Sequence, residues 1–240
     1  MRGELIIYDV TVYLYALSVL FYFLDFLRSN KKINRVAFAL LCFGWLLQTA
    51  FLILRFMERD FIPVFPMFDT LIFYAWALVT FSIVINSLFR MQLFVLLANL
   101  IGFTMVAISL FIAQDEPTLI SQQLISELLF IHVTFALLAY SFFLLTFLLA
   151  LLYLLLNDLL KKKRWNKIVQ RAPSLSRLEQ LLYWGNAFGV VFLLLSLILG
   201  SIWAYEQSVS QFWFDPKIGT SFLVLFVYCY IVYGRTILHW

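Results

Sequence analysis

Long apolar runs constrain this chain more than any other feature of its sequence. There are seven such runs, each about 20 residues or longer, and the short segments between them carry most of the charges. A helix of about 20 residues spans the roughly 30 Å hydrocarbon core of a bilayer. Backbone groups inside lipid must bond within their own segment, so each run is predicted to be a helix. The predicted spans are 5–27, 36–57, 70–89, 93–113, 126–156, 182–204 and 218–236.

The composition indicates a polytopic membrane protein of the all-α class. Only 12% of the residues are charged and 64% are hydrophobic, whereas a soluble domain has about 25% charged residues. Cys42 and Cys229 lie inside apolar runs without Cys-x-x-Cys spacing, which is typical of buried thiols and not of a redox pair. The first run is too long for a signal-peptide core, so we expect it to remain as a span. Residues 1–240 are predicted to form a single transmembrane domain.

The basic residues are distributed unevenly between the segments that connect the spans. Those after the first, third, fifth and seventh runs hold most of the 17 lysines and arginines. Positive charges favour the cytoplasmic side, so we expect the N-terminus outside and the C-terminus inside. This rule explains the basic excess without a nucleic-acid partner. The basic loop 157–181, which contains KKKRWNK, is predicted to be cytoplasmic and interfacial, and binding of anionic lipid or a protein partner is the alternative.

The segment 203–217, WAYEQSVSQFWFDPK, is a dense polar and aromatic loop between the last two runs. The distribution of charge predicts that it faces outward. Trp and Tyr favour the membrane surface because each has an apolar body and a hydrogen-bonding tip. A plain aromatic anchor is one interpretation of this loop. Its density of aromatic residues favours a binding surface as the other.

His132 is the one histidine inside a predicted span, about 9 Å along the helix axis from the outer end of the fifth run. Its helical face continues through Ala136, Ala139 and Tyr140, and the two alanines are expected to let a flat ligand approach closely. Neutral imidazole is a standard axial ligand of haem iron. A hydrogen bond to a neighbouring helix is the alternative interpretation. His239 lies roughly 30 Å away, at the inner end of the last run, and is predicted to be interfacial.

The other polar residues inside the runs are interpreted as structural. Asp25 is predicted to form a surface pair with Arg28 at the inner end of the first span. Arg55 is predicted to extend to the outer interface near Glu58. Hydrogen bonds between helices are predicted for three amides, Gln48, Asn86 and Asn99.

Several segments together resemble the CcsA/CcmC superfamily of haem-handling membrane proteins and, within it, the HemX branch. WAYE…FWFDPK resembles the tryptophan-rich signature of that family, whose core reads W-x-W-D-P-K. FIPVFPMFDTLIFYAW and LSRLEQLLYWGNAFG resemble the segments that open the third span and precede the signature. ELLFIHVTFALLAYSFF resembles the helix that carries an external haem-ligating histidine, which falls on His132. The matches cover about residues 60 to 236, in order, in a family that usually has eight spans.

The resemblance implies a non-covalent haem b site at the outer end of the fifth span. The aromatic residues of the loop would pack on the porphyrin, and the imidazole would bind the iron. Lys217, or Arg55 or Arg59, would pair with a propionate. Asp215 and Pro216 are expected to shape the loop. The predicted haem-binding residues are His132, Trp203, Phe212, Trp213, Phe214, Asp215, Pro216 and Lys217.

The sequence departs from the family pattern at three places. Residues 218–220 read Ile-Gly-Thr, where Glu-Thr-Trp is usual. The segment VYGR, which ends at Arg235, lacks the histidine that the haem-ligating synthetases carry there. A second external histidine normally follows one further span, and this sequence ends at Trp240, so either the sequence is truncated or that span is absent. The missing inner ligands favour the HemX branch, which is linked to control of haem synthesis through the abundance of glutamyl-tRNA reductase.

The resemblance therefore implies a haem-binding protein of the bacterial plasma membrane that regulates haem biosynthesis and is related to cytochrome c assembly. Its expected partners are haem, the lipid bilayer, and glutamyl-tRNA reductase or cytochrome c assembly components, with no nucleic acid. A haem exporter or cytochrome c maturation component is one alternative, and a membrane scaffold without haem is another. The sequence contains no nucleotide-binding, serine-hydrolase or zinc-protease motif, so no catalytic residue and no enzyme activity are predicted.

Overall fold

The structure is a computed structural model that describes residues 2–28, 30–58, 66–89, 91–112, 127–163, 169, 172–206 and 216–237. Seven α-helices make up most of these residues, with no β-strand among them. The helices are α1 Arg2–Arg28, α2 Lys31–Glu58, α3 Met67–Phe89, α4 Gln92–Ser109, α5 Glu127–Lys161, α6 Leu175–Glu206 and α7 Pro216–Thr236. All seven are long and apolar enough to cross a membrane. The prediction of an all-α, multi-pass membrane protein is confirmed.

Four helix ends differ from the predicted spans by four residues or more, and the first of them is the start of α2, which lies at Lys31 and not at residue 36. α5 continues to Lys161, and α6 begins at Leu175, because both helices extend from their apolar runs into polar flanking sequence. Pro173 lies just before α6, where a proline is compatible with the start of a helix but not with its interior. α4 is shorter than predicted, because the chain turns at residues 110–112 after Ser109.

The chain divides into two compact units. The first contains α1 to α4 and the last part of α5, from Leu151. The second contains the first part of α5, up to Ala150, together with α7 and α6 from Ser176 onward. The single domain 1–240 stays a prediction.

In the first unit, α1 and α3 each pack against both α2 and α4, so the four helices form a closed ring. α1 presents a line of polar side chains to this core. Tyr15 donates a hydrogen bond from its hydroxyl to Oδ1 of Asn99 on α4 at 3.2 Å. Ser18 donates to the carbonyl of Ala37 on α2 at 2.9 Å. The line consists of residues three or four positions apart, each at most 4% exposed: Tyr8, Thr11, Tyr15, Ser18, Tyr22 and Asp25.

Two of the three amides predicted to join helices do so in the first unit. Gln48 donates from Nε2 to the carbonyl of Ile72 on α3 at 3.1 Å. Asn99 donates from Nδ2 to Oγ of Ser82 on α3 at 3.0 Å. The prediction is confirmed for both, whereas Asn86 forms no such bond within the described residues.

Asp25 is buried and does not lie on the surface. It is 1% exposed, and its Oδ2 accepts a hydrogen bond from Nδ2 of Asn34 on α2 at 3.0 Å. The predicted surface pair with Arg28 is therefore wrong. The spacing of Asp25 and Arg28 along one helix suggested the pair, but packing of α1 on α2 decides the environment of the carboxylate.

Arg55 is held inside the first unit by an ion pair. Its Nε donates to Oδ1 of Asp69 on α3 at 2.6 Å, and the two side chains are 11% and 4% exposed. The guanidinium also lies 5.0 Å from the centre of the Phe68 ring, in a cation–π contact. The prediction that Arg55 extends to the interface near Glu58 is wrong, because Asp69 offers a buried partner on the next helix.

In the second unit, the first part of α5 packs antiparallel to α6. Gly189 faces Phe143, and Gly200 faces His132. The later glycine of α6 thus contacts the earlier residue of α5, as antiparallel packing requires. A Cβ added at Gly189 would lie 2.4 Å from Cε1 of Phe143, and one at Gly200 would lie 2.6 Å from Cε1 of His132. Because glycine has no side chain, these two positions of α6 allow the helices to approach closely.

α7 joins the second unit through a small number of specific contacts. The ring of Tyr228 stacks on Phe143 of α5, with 3.8 Å between ring centroids and 17° between ring planes. Near the C-terminal end of α7, Arg235 pairs through Nη2 with Oε2 of Glu179 on α6 at 2.8 Å. Most of the remaining α7 side chains are exposed, as expected of a helix that faces lipid.

Candidate functional site around His132

His132 lies near the beginning of α5, half-buried against α6. Its Nδ1 is 2.6 Å from the carbonyl oxygen of Ser196. A carbonyl oxygen can only accept a hydrogen bond, so Nδ1 carries a hydrogen and donates it. The hydroxyl Oγ of Ser196 lies 3.1 Å from Nδ1 and donates to the carbonyl oxygen of His132 at 3.0 Å. Both the ring and the backbone of His132 are thus bonded to one residue of α6.

Gly200 provides the surface on which the ring lies. A Cβ at this position would be 2.6 Å from Cε1, 2.7 Å from Nδ1 and 3.3 Å from Nε2 of His132. The two shorter distances are well inside van der Waals contact, so any side chain at position 200 would displace the ring. Because Gly200 follows Ser196 by four residues, the two lie on the same face of α6.

The hydrogen bond of Nδ1 determines what Nε2 can do. In a neutral imidazole with a hydrogen on Nδ1, the lone pair is on Nε2. No described residue forms a hydrogen bond with Nε2. Histidines that bind metals commonly donate their other ring N–H to a carbonyl or carboxylate in this way. His132 can therefore offer one nitrogen ligand to a metal ion.

The structure places three more of the predicted site residues. Trp203 is half-buried on α6, seven residues after Ser196 and therefore on the face that contacts His132. Pro216 and Lys217 begin α7, and both are exposed. Sequence-predicted residues that lie outside the described ranges are Arg59, Phe212, Trp213, Phe214, Asp215 and His239.

The small residues beside His132 do not all form a ligand surface. Ala139 is fully buried and packs with Phe143 and Leu193 in the core between α5 and α6. The hydroxyl of Tyr140 hydrogen-bonds with Oγ of Ser221 on α7 at 3.3 Å. The expectation that Ala139 lets a flat ligand approach is therefore wrong, because this part of α5 is used for helix packing.

Comparison with known proteins identifies the family. Residues 64–240 match the family described as cytochrome C assembly protein. The chain belongs to the cytochrome c assembly protein family. It is 44% identical to Protein HemX of Brevibacillus brevis over 229 residues, which cover 95% of this chain and 84% of that protein. It is 46% identical to Protein HemX of Bacillus subtilis (strain 168) over 228 residues, which cover 95% and 83%.

A more distant relative of this chain is the cytochrome c biogenesis protein CcsA of Guillardia theta. The two are 24% identical over 258 residues, which cover 97% of this chain and 83% of that protein. No solved structure matches the chain. The resemblance to the CcsA/CcmC superfamily and to its HemX branch, predicted from the motifs, is confirmed.

Ser196 and Gly200 were not among the site residues predicted from the sequence of this cytochrome c assembly family member. A signal was present, because small residues recur at spacings of four or seven along α6. Small residues at such spacing in a membrane helix indicate the face that contacts another helix. That pattern identifies the packing face of α6, but it does not show that His132 is the residue packed on it. The residues that form it are Gly185, Gly189, Ser196, Gly200 and Ala204.

Proposed function

We propose that this protein binds haem in the bacterial plasma membrane, and that Nε2 of His132 is an axial ligand of the haem iron. The observation that carries the proposal is the 2.6 Å bond from Nδ1 of His132 to the Ser196 carbonyl. This bond leaves the lone pair on the other nitrogen, as a metal ligand requires. Relatives named as cytochrome c biogenesis proteins support haem as the metal-containing group, since cytochromes c carry haem.

A single imidazole fits haem better than it fits a bare metal ion. A porphyrin supplies four nitrogens around the iron, so the protein needs to add only axial ligands. Within the described ranges, no three His, Cys, Asp or Glu side chains come together as a metal site. When bound, haem would supply an iron centre whose electronic properties depend on the axial ligand and its hydrogen bonds.

Two further residues would hold the haem. Trp203, on the α6 face that contacts His132, would pack its indole ring on the porphyrin. Lys217, exposed at the start of α7, would pair with a propionate. The aromatic residues of segment 207–215 would complete the site. The distribution of basic residues would place this end of α5 on the outer side of the membrane.

We further propose that haem binding regulates haem biosynthesis, as the resemblance of the sequence motifs to the HemX branch implies. The basic loop 157–181 would face the cytoplasm and could contact a soluble partner such as glutamyl-tRNA reductase. A component of cytochrome c maturation is the second candidate, favoured by the alignment with CcsA over 97% of this chain. Neither function requires a catalytic residue.

An optical spectrum of the purified protein tests haem binding. The wild-type protein in detergent is expected to show a Soret band when haem is added or co-purified, and His132→Ala is expected to weaken it sharply. External imidazole should restore the band in His132→Gly, because the free base can occupy the vacated position. His239→Ala is the matched control and should leave the spectrum unchanged. An undiminished band in His132→Ala would remove His132 as the ligand.

A further inference from the structure

We infer that Ser196 and Gly200 are positioning residues, which fix the tautomer and orientation of His132 before any ligand arrives. They would ensure that Nε2 is the only ring nitrogen presented to a metal. The identity of the ligand, haem iron, depends on the proposed function. The arrangement of the three residues belongs to the protein alone, so it can be tested without haem.

The Ser196 carbonyl is the acceptor that fixes the position of the hydrogen. At 2.6 Å, an unprotonated Nδ1 would direct its lone pair at the lone pairs of the oxygen, which is repulsive. The nearby Ser196 hydroxyl does not supply the hydrogen, because it donates to the His132 carbonyl at 3.0 Å. The tautomer with hydrogen on Nδ1 is therefore strongly favoured.

Gly200 makes the carbonyl accessible to the ring. Inside a helix, the Ser196 carbonyl also accepts from the backbone N–H four residues later, which belongs to Gly200. A carbonyl oxygen has two lone pairs, so it can accept both hydrogen bonds. The imidazole must lie over this turn to share the acceptor, and a Cβ at 2.7 Å from Nδ1 would prevent it.

Such preorganisation affects a bound metal in two ways. The ring is already oriented, so binding does not require it to be ordered. The Nδ1 hydrogen bond also makes Nε2 a stronger electron donor, which stabilises oxidised iron. A protein that loses the hydrogen bond but keeps His132 is therefore expected to bind haem more weakly and to have a higher haem reduction potential.

Nitrogen NMR of the haem-free protein in nanodiscs tests the tautomer directly. The chain has only two histidines, so ¹⁵N-histidine labelling of His239→Gln leaves the two ring nitrogens of His132. At neutral pH we expect a protonated Nδ1 and an unprotonated Nε2. A hydrogen on Nε2, or an equal mixture of the two tautomers, would overturn the inference.

Three single variants in the same background test the residues. Gly200→Ala should abolish the single tautomer, since its Cβ displaces the ring. Ser196→Ala retains the carbonyl and should keep the hydrogen on Nδ1. Gly189→Ala is the matched control, because it introduces a comparable clash, 2.4 Å from Phe143, in the same helix interface. The role of Gly200 would be refuted if Gly200→Ala kept the single tautomer, or if Gly189→Ala also lost it. If Gly200→Ala does not fold, the wild-type spectrum still decides the tautomer.

Haem measurements on the same variants separate the inference from the proposed function. If Nδ1 is protonated in the haem-free protein but haem does not bind, the proposed function fails and the positioning role stands. If haem binds through His132 but Gly200→Ala and Gly189→Ala have equal haem affinities and potentials, the proposed function stands and the positioning role fails. Weaker binding and a higher potential in Gly200→Ala alone would support both.

Discussion

Buried charged residues in the first unit are bonded to partners on neighbouring helices. Asp69 and Arg55 belong to different helices, and their ion pair is almost fully enclosed. Such a pair contributes little net stability relative to apolar residues, but loss of one partner is costly because the other charge stays buried. The pair therefore joins α2 to α3, and neither partner can be removed without leaving a buried charge.

Asp69→Asn would leave the Arg55 guanidinium inside the unit without the carboxylate that faces it. We expect the free energy of unfolding to fall by about 3 kcal/mol, measured by denaturant titration in detergent. Asp158→Asn is the control, because Asp158 pairs with Lys162 at 2.7 Å while 55% exposed. Its loss should cost less than about 0.5 kcal/mol. Equal losses in the two variants would show that Asp69 and Arg55 do not form a buried pair.

At the scale of whole helices, the sequence predicts where the helices lie along the chain much better than which face of each helix is buried. Lipid requires every span to be a helix, so the seven apolar runs were sufficient to find α1 to α7. Lipid and protein interior are similarly apolar, however, so hydrophobicity does not reveal which face of a helix is buried. The polar line of α1 and the small residues of α6 carry that information. The partners of Asp25, Arg55 and His132 lie on other helices, and no spacing along one helix identifies them.

Hydrogen bonds from α1 provide a test of the polar line. Tyr15→Phe removes the hydroxyl that donates to Asn99 while keeping the ring, which is 3% exposed. We expect the free energy of unfolding to fall by about 1 kcal/mol, the usual size of a hydrogen bond between membrane helices. Tyr13→Phe makes the same chemical change on the opposite side of α1, where the side chain is 72% exposed. It should have little effect, and a comparable loss in Tyr13→Phe would contradict a specific role for the line.

For the whole molecule, the family match and the compact units divide the chain at different places. The family match begins at residue 64 and therefore contains α3 to α7. The alignments with HemX proteins cover 95% of the chain, so they include most of α1 and α2 as well. The candidate site around His132 lies within the family match, whereas the polar line of α1 precedes it. The proposed haem site therefore lies in the part of the chain that matches the whole family.

The orientation of the protein in the membrane determines from which side haem would reach His132. The positive-inside rule places segment 157–181 in the cytoplasm and segment 203–217 outside, although the ends of both segments belong to helices and are not loop. In a background with Cys42 and Cys229 replaced by alanine, Ser210→Cys should react with a membrane-impermeant maleimide in intact cells. Asn166→Cys should react only after the membrane is permeabilised. The opposite pattern would put Lys217 and the His132 end of α5 on the cytoplasmic side, and the proposed haem site would then take its haem from the side where haem is made.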